Sequence, residues 1–328
     1  MSPDSYLEVV QSLPRQIGEA SSIELCRLPQ GQFNKVVVTG MGGSSIAGAL
    51  LQSYMYKSNV PVFVSRSYSL PEFIDSNTLV IAVSYSGNTE ETLTSLRTAY
   101  RKGSSIVAVC SGGKLLQRAE EHKVPLIRLP QGLQPRASLA YQLVPMLRLL
   151  SSVGMIPDVS SDIASAVSCL QRAPFNERAK VLAGRLVGKI PLVYASERFG
   201  PVAYRWKTQF NENSKVHAFS HVFPELNHNE IVGYTNLNGS YYAVILQDQD
   251  DEPRVKRRMK IMRDVISKRQ VPSTQIAITG DNLLARLFSS VYLGDLTSVY
   301  LALLTNTDPE PVPLIEGFKK QLDAIPFV

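Results

Sequence analysis

The chain has 328 residues, of which 44% are hydrophobic and 19% charged, and 34 Lys and Arg against 28 Asp and Glu leave a net charge of +6. This composition excludes a wholly disordered or fibrous chain and leaves apolar surface for a sizeable core, and at about 100–200 residues per domain the length fits two domains. The moderate positive charge suits a nucleic-acid partner, and equally an enzyme whose substrates are small anions.

The N-terminal stretch MSPDSYLEVVQSLPRQ lacks the basic region followed by an apolar region that marks a signal peptide. Lys35–Thr39 is a β-branched apolar run ending in Gly40-Met41-Gly42-Gly43-Ser44-Ser45, after which Ile46, Ala47, Leu50, Leu51 and Tyr54 share one helical face. Pro61–Val64 reads as a second strand. Leu79–Val83 reads as a third and runs into Ser84-Tyr85-Ser86-Gly87-Asn88-Thr89; a helix with Leu93, Leu96 and Tyr100 then begins near Glu90. Ile106–Val109 and Pro125–Leu129 are the fourth and fifth strands, and a helical pattern runs from Ala137 to Leu150. Gly and Pro punctuate Gly154–Asp158, which divides the chain into residues 1–153 and 154–328. In the second unit Ile190–Ala195 is a strand ending at Ser196, Ala203–Phe210 is helical, and Tyr241–Leu246 and Gln275–Ile278 are strands. Between those strands Val255, Met259, Met262 and Ile266 repeat at helical spacing. Strands this apolar, separated by helices, specify an α/β fold with parallel sheets covered on both faces.

Cys26, Cys110 and Cys169 stand far apart without a Cys-x-x-Cys pair, which argues against a zinc ribbon or disulfide framework and for reduced thiols in a cytoplasm. No apolar run approaches the roughly 18 residues of a membrane span, so no membrane association is expected.

Two turns carry chemistry. In the first, Gly42 and Gly43 let backbone N–H groups approach an anion at a helix N-terminus. This turn lacks the Lys-Ser/Thr ending of a P-loop, and Ser45 stands where a dinucleotide fingerprint has its third glycine. Arg66 at the end of the second strand keeps a 2′-phosphate reading open. In the second turn the hydroxyls of Ser84, Ser86 and Thr89 bracket a glycine directly before a helix. One helix cap needs one such residue; several beside a second Gly/Ser turn point to a phosphate monoester held by hydroxyls, N–H groups and the helix dipole.

Thr39-Gly-Met-Gly-Gly-Ser44 with Ser84-Tyr-Ser-Gly-Asn-Thr89 resembles a sugar isomerase (SIS) domain. Gln134-Pro-Arg-Ala137, Phe210-Asn-Glu-Asn213, Pro224-Glu-Leu-Asn-His-Asn229 and Asp308-Pro-Glu-Pro-Val312 followed by Phe318-Lys319 resemble the bifunctional phosphoglucose/phosphomannose isomerases. The resemblance implies two flavodoxin-like, three-layer αβα SIS domains, no cofactor and no metal, and sugar 6-phosphates as substrates of a homodimer. It assigns the phosphate to Gly42, Gly43, Ser44, Ser84, Ser86 and Thr89. Glu212 is then the base that moves a proton between C2 and C1, with flanking amides to orient it, and Arg136 the cation that meets charge on the enediolate oxygens. His228, supplied by the neighbouring subunit, assists ring opening, and Lys319 contacts the sugar oxygens. The family's usual His pair is Asn227-His228 here, and the small Val312 falls where conventional phosphoglucose isomerases carry a longer polar residue, which would admit both C2 epimers.

Alternatives remain from the sequence: a non-catalytic sugar-phosphate sensor, for which no DNA-binding segment is spare, and an amino-sugar phosphate isomerase. A zinc route is conceivable because His217 and His221 have helical i, i+4 spacing near Glu225 and His228, but Pro224 interrupts the stretch and no His-Glu-x-x-His occurs. The eight Lys and Arg between Arg254 and Arg269 could meet nucleic acid; their apolar neighbours form one stripe, so a solvated helix face is expected and no nucleic-acid partner.

Overall fold

Unbroken runs of Val, Ile, Leu and Ala belong in strands buried on both faces, and here they build two parallel sheets. The computed structural model describes residues 3–25 and 27–324. Helices α1 (Pro3–Gln11) and α2 (Leu13–Ala20) lead into β1 (Lys35–Thr39), α3 (Gly42–Tyr54), β2 (Val62–Ser65), β3 (Thr78–Val83), α4 (Glu90–Arg101), β4 (Ser105–Cys110), α5 (Gly113–Glu121), β5 (Leu126–Arg128) and α6 (Leu139–Ser152). The chain continues through α7 (Ser160–Arg172), α8 (Phe175–Leu186), β6 (Ile190–Ser196), α9 (Gly200–Glu212), β7 (Phe219–Phe223), β8 (Tyr241–Gln247), α10 (Pro253–Lys268), β9 (Ser273–Ala277), α11 (Leu283–Leu304) and α12 (Pro313–Asp323). Cys110 and Cys169 are free thiols; the expectation for Cys26 lies outside the described residues.

The first sheet has the order β2-β1-β3-β4-β5 and the second β7-β6-β8-β9. Every neighbouring pair is parallel. In each sheet the chain enters at an inner strand, steps to one edge, then crosses to the other side. This creates a switch point between β1 and β3, and another between β6 and β8, and ligands bind in such crevices outside the carboxyl ends of the strands.

All five strands expected in the first half form. In the second half the structure adds β7, a strand absent from those the sequence pattern predicts. Its sequence FSHVF lacks a β-branched run and leaves Phe219 53% exposed at the sheet edge, so no buried-strand pattern marks it. Helix α10 matches expectation: Met259, Met262 and Ile266 are buried, and the Lys and Arg residues lie on the outer or partly exposed positions.

Helix α11 corrects the expectation about membrane-length segments. Its 22 residues are long and apolar enough to cross a membrane by length and composition, yet 89% of its most apolar stretch is buried within the protein. It packs against α1, α3, α7, α8 and α9. Gly294 makes the α9 contact possible, because a Cβ there would lie 2.3 Å from Trp206 Nε1; that indole donates instead to the Ser290 carbonyl at 2.8 Å. The two charges inside α11 are both paired: Arg286 with Asp248 and Asp250, and Asp295 with Arg205. A single hydrophobic cluster joins the halves, containing Leu50 of α3, Leu143 of α6, Trp206 of α9 and Val291 of α11.

Candidate active site

At the switch point of the first sheet, the β1–α3 and β3–α4 turns lie side by side. Backbone N–H of Tyr85 donates to Ser44 Oγ at 3.3 Å, tying one turn to the other. Ser84 Oγ lies 2.9 Å from Thr89 Oγ1 and accepts from the Gly87 N–H at 3.1 Å. Thr89 occupies the N-cap position of α4 but makes no side-chain capping bond, so its hydroxyl serves the turn and leaves the helix end to other partners. Ser86 is exposed and accepts from the Asn88 N–H at 3.3 Å. Glu90 and Glu91 in the first turn of α4 would repel an anion, but Glu90 is engaged by the Tyr68 hydroxyl at 3.2 Å.

Two glycines are required by this geometry. Gly43 lies against the 3₁₀ turn Pro135–Ala137, where a Cβ would come within 2.8 Å of the Pro135 carbonyl. Gly87 has φ +71°, and a Cβ there would lie 1.7 Å from the Gly112 carbonyl oxygen. Gly87→Ala is therefore expected to cost at least about 1–3 kcal/mol from backbone strain, with the clash in addition. Its measurable signs are a lowered melting temperature and a raised KM for phosphorylated substrate; a variant matching wild type in both would show that the turn carries no such constraint.

The contact of Gly43 with Pro135 sets Arg136 beside the phosphate turns. Arg136 is 3% exposed and its guanidinium is almost fully engaged. Nε donates to Asn213 Oδ1 at 2.8 Å, and Nη2 donates to the carbonyls of Pro309 and Glu310 at 2.9 and 2.7 Å. The ring of Tyr6 lies beneath it at 5.1 Å, and burial pushes the Tyr6 phenol up to about 12, so it stays neutral. Nη1 faces Glu212 Oε2 at 3.6 Å. Since a guanidinium carries five N–H groups, Nη1 is the edge left to meet a ligand.

Glu212 is the last residue of α9 and its side chain is 28% exposed. The expectation that flanking amides orient its carboxylate is corrected. Asn211 donates to the Val216 carbonyl, and Asn213 binds Arg136 and Ser298, so these amides fix the backbone and the arginine. The structure also adds residues that sequence reasoning did not select. Arg205 grips Asp295 with two bonds of 3.0 and 2.7 Å and donates to the Arg136 carbonyl at 2.8 Å. Lys215, in left-handed backbone at φ +57°, donates to the carbonyls of Glu212 and Pro309. Partial burial and the neighbouring Arg136 lower its pKa from the ordinary lysine value. An Asp inside an apolar helix was a visible signal for Asp295; nothing local marked Arg205 or Lys215.

The remaining candidates stand apart. His228 is the exposed last residue of a 3₁₀ turn after β7, and its side chain makes no hydrogen bond or ion pair among the described residues. Lys319 is exposed on α12. His217 and His221 do not share a helical face, because β7 runs through the stretch and His221 Nδ1 accepts from its neighbour's N–H. Among the described residues no cluster of three or more His, Cys, Asp or Glu is placed to hold a metal. Arg66 stacks at 5.6 Å over Tyr204 of α9.

Comparison with known proteins converges on one family. The SIS domain family matches residues 32–145, and the family described as bacterial phospho-glucose isomerase C-terminal SIS domain matches residues 175–322. The chain is 42% identical to a bifunctional phosphoglucose/phosphomannose isomerase of Caldicellulosiruptor bescii, across 97% of this chain and 99% of that protein. It is 38% identical to a protein of the same name from Thermoplasma acidophilum, across 89% and 91%. Among solved structures, the C-terminal domain of glucosamine-fructose-6-phosphate aminotransferase from Francisella tularensis superposes with a TM-score of 0.72 over 95% of this chain and all of that one, at 15% identity, a likeness of fold.

Proposed function

The chain belongs to the bifunctional phosphoglucose/phosphomannose isomerase family, with a SIS domain in each half, and from that premise we propose that it interconverts glucose 6-phosphate and mannose 6-phosphate with fructose 6-phosphate by a base-catalysed cis-enediol mechanism. One observation carries the reading: the Gly/Ser and Ser/Thr turns, buried Arg136 and Glu212 form one continuous chain of contacts.

Residues 1–153 supply the phosphate site, where Gly42, Gly43, Ser44, Ser84, Ser86 and Thr89 surround the dianion. Residues 154–328 supply Glu212, His228 and Lys319. In the open-chain aldose Glu212 removes the C2 proton and returns it to C1. Charge develops on O1 and O2 in the enediolate, and Arg136 Nη1 meets it without reorganising, since its other donors are already fixed. The direct test is an assay on glucose 6-phosphate and mannose 6-phosphate with and without EDTA. Turnover of both in either condition supports the reading; inactivity on both sinks it in favour of a sugar-phosphate sensor, and loss with EDTA alone turns it to a metal enzyme. The free thiols agree with a cytoplasmic setting.

In this reading His228 completes the site from a second copy, and Lys319 contacts the sugar oxygens beside it. Supporting it, α12 turns apolar residues to solvent: Leu314 is 89% exposed and Phe318 66%. Large exposed apolar side chains clustered on one helix mark an interaction surface, and here the occupant is a homodimer partner. Leu314→Asp with Phe318→Asp is expected to give a monomer in analytical ultracentrifugation and to lose most turnover. A fully active monomer would overturn the shared site.

A further inference from the structure

The switch point of the second sheet has no task in the reaction above. We infer that beside it lies a second ligand site that takes the ring of a hexose, in the cleft between the end of α3, the start of β2 and the β6–α9 turn. The cavity measures about 480 Å³, and its walls include Ser53, Tyr56, Asn59, Phe63, Glu197 and Arg198. By strand order β6 occupies the place that β1 holds in the first sheet. The β6–α9 turn is thus the counterpart of the phosphate turn before α3.

Two buried donors in this wall lack partners. Ser53 is 3% exposed, and neither its Oγ nor Arg198 Nε has a hydrogen-bond partner among the described residues. Buried polar groups are nearly always satisfied, so each such atom calls for a ligand or water. Opposite them stands an acceptor, Glu197, held at 3.4 Å by the Tyr56 hydroxyl. The rings of Tyr56 and Phe63 are 52% and 38% exposed.

These groups select the ligand. Glu197 on the rim, and Asp248 acting electrostatically on Arg198, disfavour a bare phosphate. The start of α9 adds little for an anion, because the Gly200 N–H is bound to the Glu197 carbonyl and Pro201 has none. Sugar hydroxyls donate and accept, matching Ser53, Arg198 and Glu197 together, while the apolar ring face fits the exposed aromatics. The cleft is distinct from the active site. Helices α3 and α9, 13 residues each, run between the two, a separation of about 20 Å.

The test is saturation-transfer NMR of the whole chain with D-glucose, which lacks the phosphate the active site is built to hold. Saturable binding is expected in wild type and in Ser84→Ala/Ser86→Ala. It should weaken about tenfold or more, the loss of one good contact, in Tyr56→Ala and in Glu197→Gln. Both of those residues are exposed, so these variants should keep their melting temperature and their turnover of glucose 6-phosphate. Absence of saturable binding overturns the site, as does binding indifferent to Tyr56 and Glu197. Binding lost only in the Ser84/Ser86 variant would place glucose in the active site and overturn the second cleft while leaving the isomerase reading intact.

Discussion

Glu212→Gln should lower kcat about 10³-fold with both aldose phosphates while leaving KM and the melting temperature near wild type, because a positioned general base contributes about 10²–10⁴. The amide has the shape of the carboxylate but cannot take the C2 proton. Stability should hold because Glu212 is partly exposed and its ion pair with Arg136 is long, at 3.6 Å, whereas Arg136 keeps its bonds to Asn213, Pro309 and Glu310. Exchange of the substrate C2 hydrogen with solvent deuterium, followed by NMR, separates the base from a group that only binds. That exchange should vanish with turnover. A variant within tenfold of wild type in both measurements would remove Glu212 from the mechanism.

Asp295→Ala should have the largest effect on stability. Asp295 and Arg205 are 5% and 2% exposed and share two short bonds. Burial raises the Asp295 carboxyl and Arg205 opposes the rise. Removing one partner of a buried pair leaves an uncompensated charge and costs about 3–5 kcal/mol, readable by urea denaturation. Arg205 also holds the Arg136 carbonyl, so kcat should fall in the molecules that remain folded. Asp295→Asn, which can still accept from Arg205, should lose less of both. A stability loss under about 1 kcal/mol in the Ala variant would show that water or another group can compensate Arg205.

The strands of the first sheet were legible because a parallel strand buried on both faces writes itself as a continuous apolar run. Lys35–Thr39 matched to the residue, and the other boundaries of that sheet moved by at most one position. Helix α11 escaped for the opposite reason: Leu284 to Ala302 are buried all round, so no stripe alternates with polar residues. In the site, the phosphate turns, Arg136 and Glu212 carried recognisable local sequence. Their supports did not, because Asn213 lies 77 residues from Arg136, and Asp295 lies 90 from Arg205. Such pairs exist only after folding. His228 and Lys319 could be named, but neither touches the Arg136–Glu212 cluster within one chain.

The place of α11 in the chain bears on how this protein is made. Residues 283–304 leave the ribosome after both sheets, yet they form the wall against which α1, α3, α7, α8 and α9 pack. Until that segment arrives, the earlier helices have an open apolar trough, and the segment itself is a greasy rod of membrane-spanning length. Domains commonly mature one after another during synthesis; here the packing of α1 and α3 against α11 waits for that segment. The nascent chain is consequently most prone to clumping in the interval before that segment emerges. Cutting the gene near Gly154 should yield two sticky fragments that regain structure only when mixed.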